Sequence, residues 1–216
     1  MHLKVCCIAS VDEARLAIEA GASALGLVSA MPSGPGVIDE GTIADVAAAV
    51  APPTETYLLT SLRDSAAIAE QHRRCGTTTL QLVDALPSHD DYRRLRDLVP
   101  GAILVQVIHV LDDDSVDEAV ALAPLVDRIL LDSGNPRLAV KELGGTGRTH
   151  NWQLSARIRD RIDRPLLLAG GLREENVADA IAIVRPFGID VCSGVRRDGH
   201  LDRERLTRFA GIVHSR

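Results

Sequence analysis

Eight short apolar runs, each followed by a stretch of helical periodicity, recur along this chain of 216 residues. The runs are residues 4–9, 23–28, 56–60, 79–83, 103–110, 128–133, 165–169 and 188–193. All are bounded by turn residues and too apolar to alternate cleanly, as strands covered on both faces must be. The helical patterns between them have legible ends. Ser10 and Glu13 have capping-box spacing, and Gly21 stands where that helix should stop. Ile43, Val46, Ala47 and Val50 share a face before Pro52 and Pro53. A third helix within 61–74 closes at Gly76, and a fourth opens at Ser88 and Asp91 and closes at Pro100 and Gly101. Asp114 or Ser115 opens the fifth, and Trp152, Ala156, Ile158 and Ile162 belong to the sixth. Residues 176–184 and 202–214 supply the last two. Strict alternation predicts parallel strands joined by right-handed crossovers. Eight regular units, averaging 27 residues with no long linker, suit a closed barrel better than an open doubly wound sheet. The expected fold is a single (β/α)8 TIM barrel of eight parallel strands surrounded by helices, spanning 1–216.

Composition agrees. Hydrophobic residues make up 46% but aromatics only 2%, so the core must be built from Val, Leu, Ile and Ala. A net charge of −6 argues against nucleic acid as a partner, since phosphate backbones need a basic stripe. The apolar run at 2–9 is too short for a signal peptide and is followed at once by Asp12, Glu13 and Arg15. No apolar stretch is long enough to span a bilayer. Cys6, Cys7, Cys75 and Cys192 lack zinc-site or disulfide-framework spacing. Reduced thiols in a cytoplasmic protein, with no metal and no cofactor, are the expectation.

Catalytic groups of such a barrel sit at strand C-termini and in the following loops. Gly170 and Gly171 follow the seventh run, and Ser193 and Gly194 follow the eighth. Glycines let backbone N–H groups approach an anion, and barrels frequently hold phosphate at these two loops. Tight turns alone would also account for them. Gly144, Gly145, Gly147 and Arg148 form a Gly-rich segment after the sixth run, suited to a lid or to a plain linker, and not a P-loop. Asp132 ends the run Ile129-Leu130-Leu131, where desolvation would make it a proton donor; a turn Asp before Ser133-Gly134 is the alternative. Cys6 and Cys7, read as mid-strand, must point to opposite faces. Asp190 is an orienting carboxylate or a cap, and His109 faces the barrel mouth or is structural.

In order along the chain stand Lys4-Val5-Cys6, Leu80-Gln81-Leu82, Leu131-Asp132-Ser133, Gly144-Gly145-Thr146-Gly147 and Trp152. There follow Leu168-Ala169-Gly170-Gly171-Leu172, Asn176-Val177 and Gly188-Ile189-Asp190-Val191-Cys192-Ser193-Gly194-Val195. This series resembles the motifs of the phosphoribosylanthranilate isomerase family, the barrel enzymes of tryptophan biosynthesis, from about residue 4 to about residue 203. The resemblance implies a cofactor-free Amadori rearrangement of a phosphorylated aminosugar, in a monomer or homodimer. It implies Asp132 as general acid at the ring oxygen and Cys6 as general base at C2′. Gly144, Gly145, Gly170, Gly171, Ser193 and Gly194 would contact substrate and its phosphate, with Asp190 near the sugar.

The chain departs from the family pattern where the aglycone would bind. Cys7 replaces the usual Gly after the first-strand Cys, and Ser33-Gly34-Pro35-Gly36 lacks the Arg of the usual Ser-Pro-Arg. Gln81-Leu82-Val83-Asp84 lacks the usual His, Arg148 and His150 replace Lys and Phe, and Arg196 replaces Glu. Arg148 or Arg196 would then meet the substrate carboxylate. Three readings follow: the isomerase itself, an isomerase or lyase on another phosphorylated metabolite, or a barrel that only binds its ligand.

Overall fold

The computed structural model describes residues 1–134 and 149–216. Eight parallel strands close into a barrel in sequence order. They are β1 (His2–Val5), β2 (Ala24–Val28), β3 (Glu55–Thr60), β4 (Thr79–Leu82), β5 (Ile103–His109), β6 (Arg128–Asp132), β7 (Leu166–Leu168) and β8 (Gly188–Val191). Around them lie α1 (Val11–Glu19), α2 (Glu40–Ala49), α3 (Ser65–Cys75), α4 (His89–Leu98), α5 (Asp114–Leu122), α6 (Trp152–Arg161), α7 (Val177–Val184) and α8 (Arg203–His214). The ring closes where His2, Leu3, Lys4 and Val5 pair with Gly188, Ile189, Asp190 and Val191. A short antiparallel hairpin, β9 (Arg196–Arg197) with β10 (His200–Leu201), precedes α8 and has no signal in the periodicity.

The helix ends follow local chemistry. Ser10, Asp39, Asp64, Ser88 and Asp202 each accept a backbone N–H of the first turn. Gly76 closes α3 at φ 64°, the left-handed cap that glycine adopts without Cβ strain. Ser115 acts differently from the expected cap. Buried inside α5, its Oγ accepts from the Leu111 N–H at 3.0 Å and donates to the His109 carbonyl at 3.1 Å, tying the β5 end to the helix.

Two apolar layers explain the missing alternation. Leu25, Leu27, Leu58, Leu80, Leu104 and Ile129 face the helices, while Ala24, Val28, Tyr57, Val105, Leu130 and Leu167 fill the interior. At the N-terminal rim Arg128 pairs with both Glu55 oxygens, at 2.6 and 2.8 Å, and donates to the Tyr57 hydroxyl. That face is bolted shut. Among the described residues no helix is long and apolar enough to cross a membrane.

Candidate active site

At the opposite rim β1 ends at Val5, four residues before the end of the apolar run at Ala9. Cys7 adopts φ 63°, which no strand accommodates. Cys6 still pairs with β8 through its N–H to the Val191 carbonyl at 2.8 Å. The reversal at Cys7 turns both thiols toward the same cleft, not to opposite faces as strand geometry had required. Cys7 Sγ lies 2.7 Å from Cys192 Sγ, and all four cysteines are free thiols.

The cleft encloses about 650 Å³ of empty space, open solvent included. Its lining brings together Cys6, Asp132, Gly170, Gly171, Asp190 and Ser193. Gly194 lines the hollow beside it with Gly171 and Ser193. Gly170 and Gly171 hold φ 85° and 60°, and a Cβ on Gly194 would stand 2.0 Å from the Leu172 carbonyl oxygen. The two glycine loops therefore touch backbone to backbone. Asn176 braces them, accepting the Arg173 N–H at 2.9 Å and donating to the Gly171 carbonyl at 3.0 Å. Gly144, Gly145 and Arg148 lie outside the described residues.

Electrostatics act in opposite senses on Cys6 and Asp132. Burial pushes the Asp132 carboxyl up, against the Ser133 N–H that it accepts at 2.7 Å and the neighbouring His109. The hydrogen bond with Cys7, and then the Lys4 charge, bring Cys6 below the ordinary thiol value despite its burial. Cys7 moves upward through its contacts with Cys192 and Cys6. Lys4, which is fully buried, gives its Nζ to Asp190 Oδ2 at 2.9 Å. Burial opposes that ammonium charge, and Asp190 more than restores it. Asp190 Oδ1 and Gln81 Oε1 are buried and unpartnered on the cleft lining, two acceptors free to meet a polyhydroxylated ligand.

Arg196 is elsewhere. Its guanidinium clamps both Glu13 oxygens at 3.0 and 3.1 Å and donates to the Cys6, Cys7 and Gly199 carbonyls. It is absent from the cleft lining. Glu13 does not close the expected capping box on Ser10, because it is drawn to Arg196, Ala9 N–H and Leu201 N–H. His109 accepts no place on that lining either, standing in a neighbouring hollow with Nε2 3.2 Å from the Val83 carbonyl. Trp152 heads α6 with a buried, unpartnered Nε1, and His150 points Nδ1 toward Gly170.

The family model for N-(5′-phosphoribosyl)anthranilate isomerase matches residues 3–211. The chain belongs to the phosphoribosylanthranilate isomerase family. Relatives of that name from Halorubrum lacusprofundi and Haloferax volcanii are 34% and 36% identical, covering 96% and 98% of this chain and 94% and 92% of theirs. The phosphoribosylanthranilate isomerase structure from Thermotoga maritima superposes with TM-score 0.84 at 26% identity, each chain covered in full. Another isomerase structure, in complex with reduced 1-(o-carboxyphenylamino)-1-deoxyribulose 5-phosphate, matches in fold with TM-score 0.81 at 24% identity and full coverage. As a phosphoribosylanthranilate isomerase family member the protein is an isomerase. Sequence reasoning missed Lys4, Gln81 and Cys192 as site residues. Lys4 and Cys6 share one strand face by their i, i+2 spacing, and that was the available signal.

Proposed function

We propose that the protein converts N-(5′-phosphoribosyl)anthranilate to 1-(o-carboxyphenylamino)-1-deoxyribulose 5-phosphate, with Asp132 as acid and Cys6 as base. The observation that carries this is the shared lining of one cleft by Cys6, Asp132 and the glycine loops after β7 and β8. The neutral Asp132 carboxyl gives its proton to the furanose ring oxygen as the C1′–O bond breaks, leaving a Schiff base. The Cys6 thiolate then removes the C2′ proton, and the resulting enolamine becomes the ketone. No electron acceptor is needed, so no cofactor enters. The phosphate rests on Gly170, Gly171, Ser193 and Gly194, and Asp190 Oδ1 accepts from a sugar hydroxyl.

The described lining carries no Arg or His for the anthranilate carboxylate, and Ser33, Gly34 and Pro35 occupy the second-strand loop. Arg196 is committed to Glu13, which leaves Arg148 as the carboxylate partner of this reading. The same lining favours, as a second reading, an aminosugar phosphate with an uncharged aglycone. The deciding assay follows the loss of substrate fluorescence with purified protein, beside complementation of a strain lacking the isomerase. Turnover supports the first reading. Folded protein with no turnover, yet active on another aminosugar phosphate, supports the second and rejects the first.

A further inference from the structure

Barrel interiors of this type are filled by branched apolar side chains. Here a lysine beneath the cleft is paired with an aspartate on its lining, with 0% and 7% side-chain exposure. An apolar pair would fill that volume without the desolvation penalty that two buried ions carry. The pair also has a third member. A Cβ built on Gly26 of β2 would lie 2.7 Å from Cys6 Sγ and 3.0 Å from Lys4 Nζ, so thiol and ammonium approach one point that a glycine leaves empty. By that geometry the two atoms are less than 5.7 Å apart, the sum of the two distances. Lys4 Nζ also stands 5.3 Å over the Tyr57 ring, which closes the far side of its pocket.

We propose that Lys4 is a positioning residue of this isomerase: held by Asp190 and given room by Gly26, its ammonium is the counter-charge of the Cys6 thiolate. The proposal rests on the reading of Cys6 as the base. The other groups facing Cys6 are accounted for. Cys7 hydrogen-bonds to it from its own loop, Asp190 of β8 opposes its thiolate, Cys192 and Asp132 line the same cleft, and Arg196 holds its carbonyl. Among the described residues, Lys4 is the cation whose charge lowers the thiol. Asp190 opposes it, and of the two charges that of Lys4 acts more strongly on the thiol.

The test is the pH dependence of Cys6 alkylation by iodoacetamide, read by peptide mass spectrometry, alongside kcat and KM. In Lys4→Met the alkylation midpoint moves up by about one unit or more, a roughly tenfold loss of thiolate near neutral pH. kcat falls by a similar factor and recovers at higher pH, while KM changes little. A folded Lys4→Met protein with an unmoved midpoint overturns the proposal, and a raised KM alone would assign Lys4 to holding Asp190. Should Lys4→Met not fold, Lys4→Met/Asp190→Asn removes both charges, and Gly26→Ala displaces the thiol while keeping the pair. Both are expected to raise the midpoint, and an unmoved midpoint in either folded variant overturns the proposal. Absence of turnover on every substrate, with the midpoint still shifted in Lys4→Met, would sink the catalytic reading and leave only the pairing of the Lys4 charge with the Cys6 thiolate.

Discussion

Cys6 and Asp132 are pushed in opposite directions by their surroundings, and the proposed reaction needs a thiolate beside a neutral carboxyl. With the thiol lowered and the carboxyl raised, the two titrations draw together, which increases the fraction of molecules that hold a thiolate and a neutral carboxyl at once. The expected kcat/KM profile is a bell whose two limbs report the titrations of Cys6 and Asp132. Cys6→Ala and Asp132→Asn should each lower kcat by about 10²–10⁴-fold with KM little changed; a folded Cys6→Ala enzyme of normal kcat would remove the thiol from the chemistry. Gly194 is a second residue whose identity is fixed by its surroundings, because a methyl there meets the Leu172 carbonyl at 2.0 Å and backbone must yield. Gly194→Ala should raise KM for the phosphorylated substrate and destabilise the fold by about 2 kcal/mol, measured by urea titration. An alanine variant of parental KM would take the phosphate away from this loop.

The segment from β1 into α1 shows what one element's sequence reveals and what it hides. Periodicity located the strand, and Ser10 located the helix start, with Ser10 Oγ accepting the Glu13 N–H at 3.2 Å. The strand's end was hidden because Cys7 takes a backbone conformation that its side chain disfavours, by roughly 1–2 kcal/mol. Glu13 was legible as a capping residue and not as a partner of Arg196, since 183 positions separate the two. The latch they form sits under the carbonyls of Cys6 and Cys7, so it fixes the loop bearing the thiols. Both side chains are mostly buried, at 10% and 16% exposure. Arg196→Ala leaves Glu13 and those carbonyls without their cation, and about 3 kcal/mol of stability should be lost. A double cycle with Glu13→Gln should show strong coupling; additive effects would mean that the latch is not one unit.

At the scale of the whole molecule, the barrel was readable because each of its units repeats one local grammar of strand, cap and helix. The lining of the cleft was readable only where a residue type and its place at a strand end coincided, as at Asp132, Gly170 and Gly171. Acid is the condition to which the whole fold should be most sensitive. Burial lowers His150 to about 4, well under its unfolded value near 6.5. The unfolded chain therefore binds this proton more readily, and stability falls as pH drops through that interval. The loss should be about 2 kcal/mol between pH 7 and pH 5. Glu13 and Glu55, held low against burial by Arg196 and Arg128, add losses of the same sign at lower pH. Denaturant titrations of His150→Asn should lose the slope between pH 7 and pH 5; an unchanged slope would place its origin elsewhere. The chain also carries a single tryptophan, at the head of α6 and two positions after His150, whose Nδ1 faces Gly170. Its near-ultraviolet emission overlaps the absorption of an anthranilyl ring, so occupancy of the barrel mouth should quench Trp152 by resonance energy transfer. The molecule thus contains its own optical probe, one that reports which aromatic group, if any, arrives with the sugar phosphate.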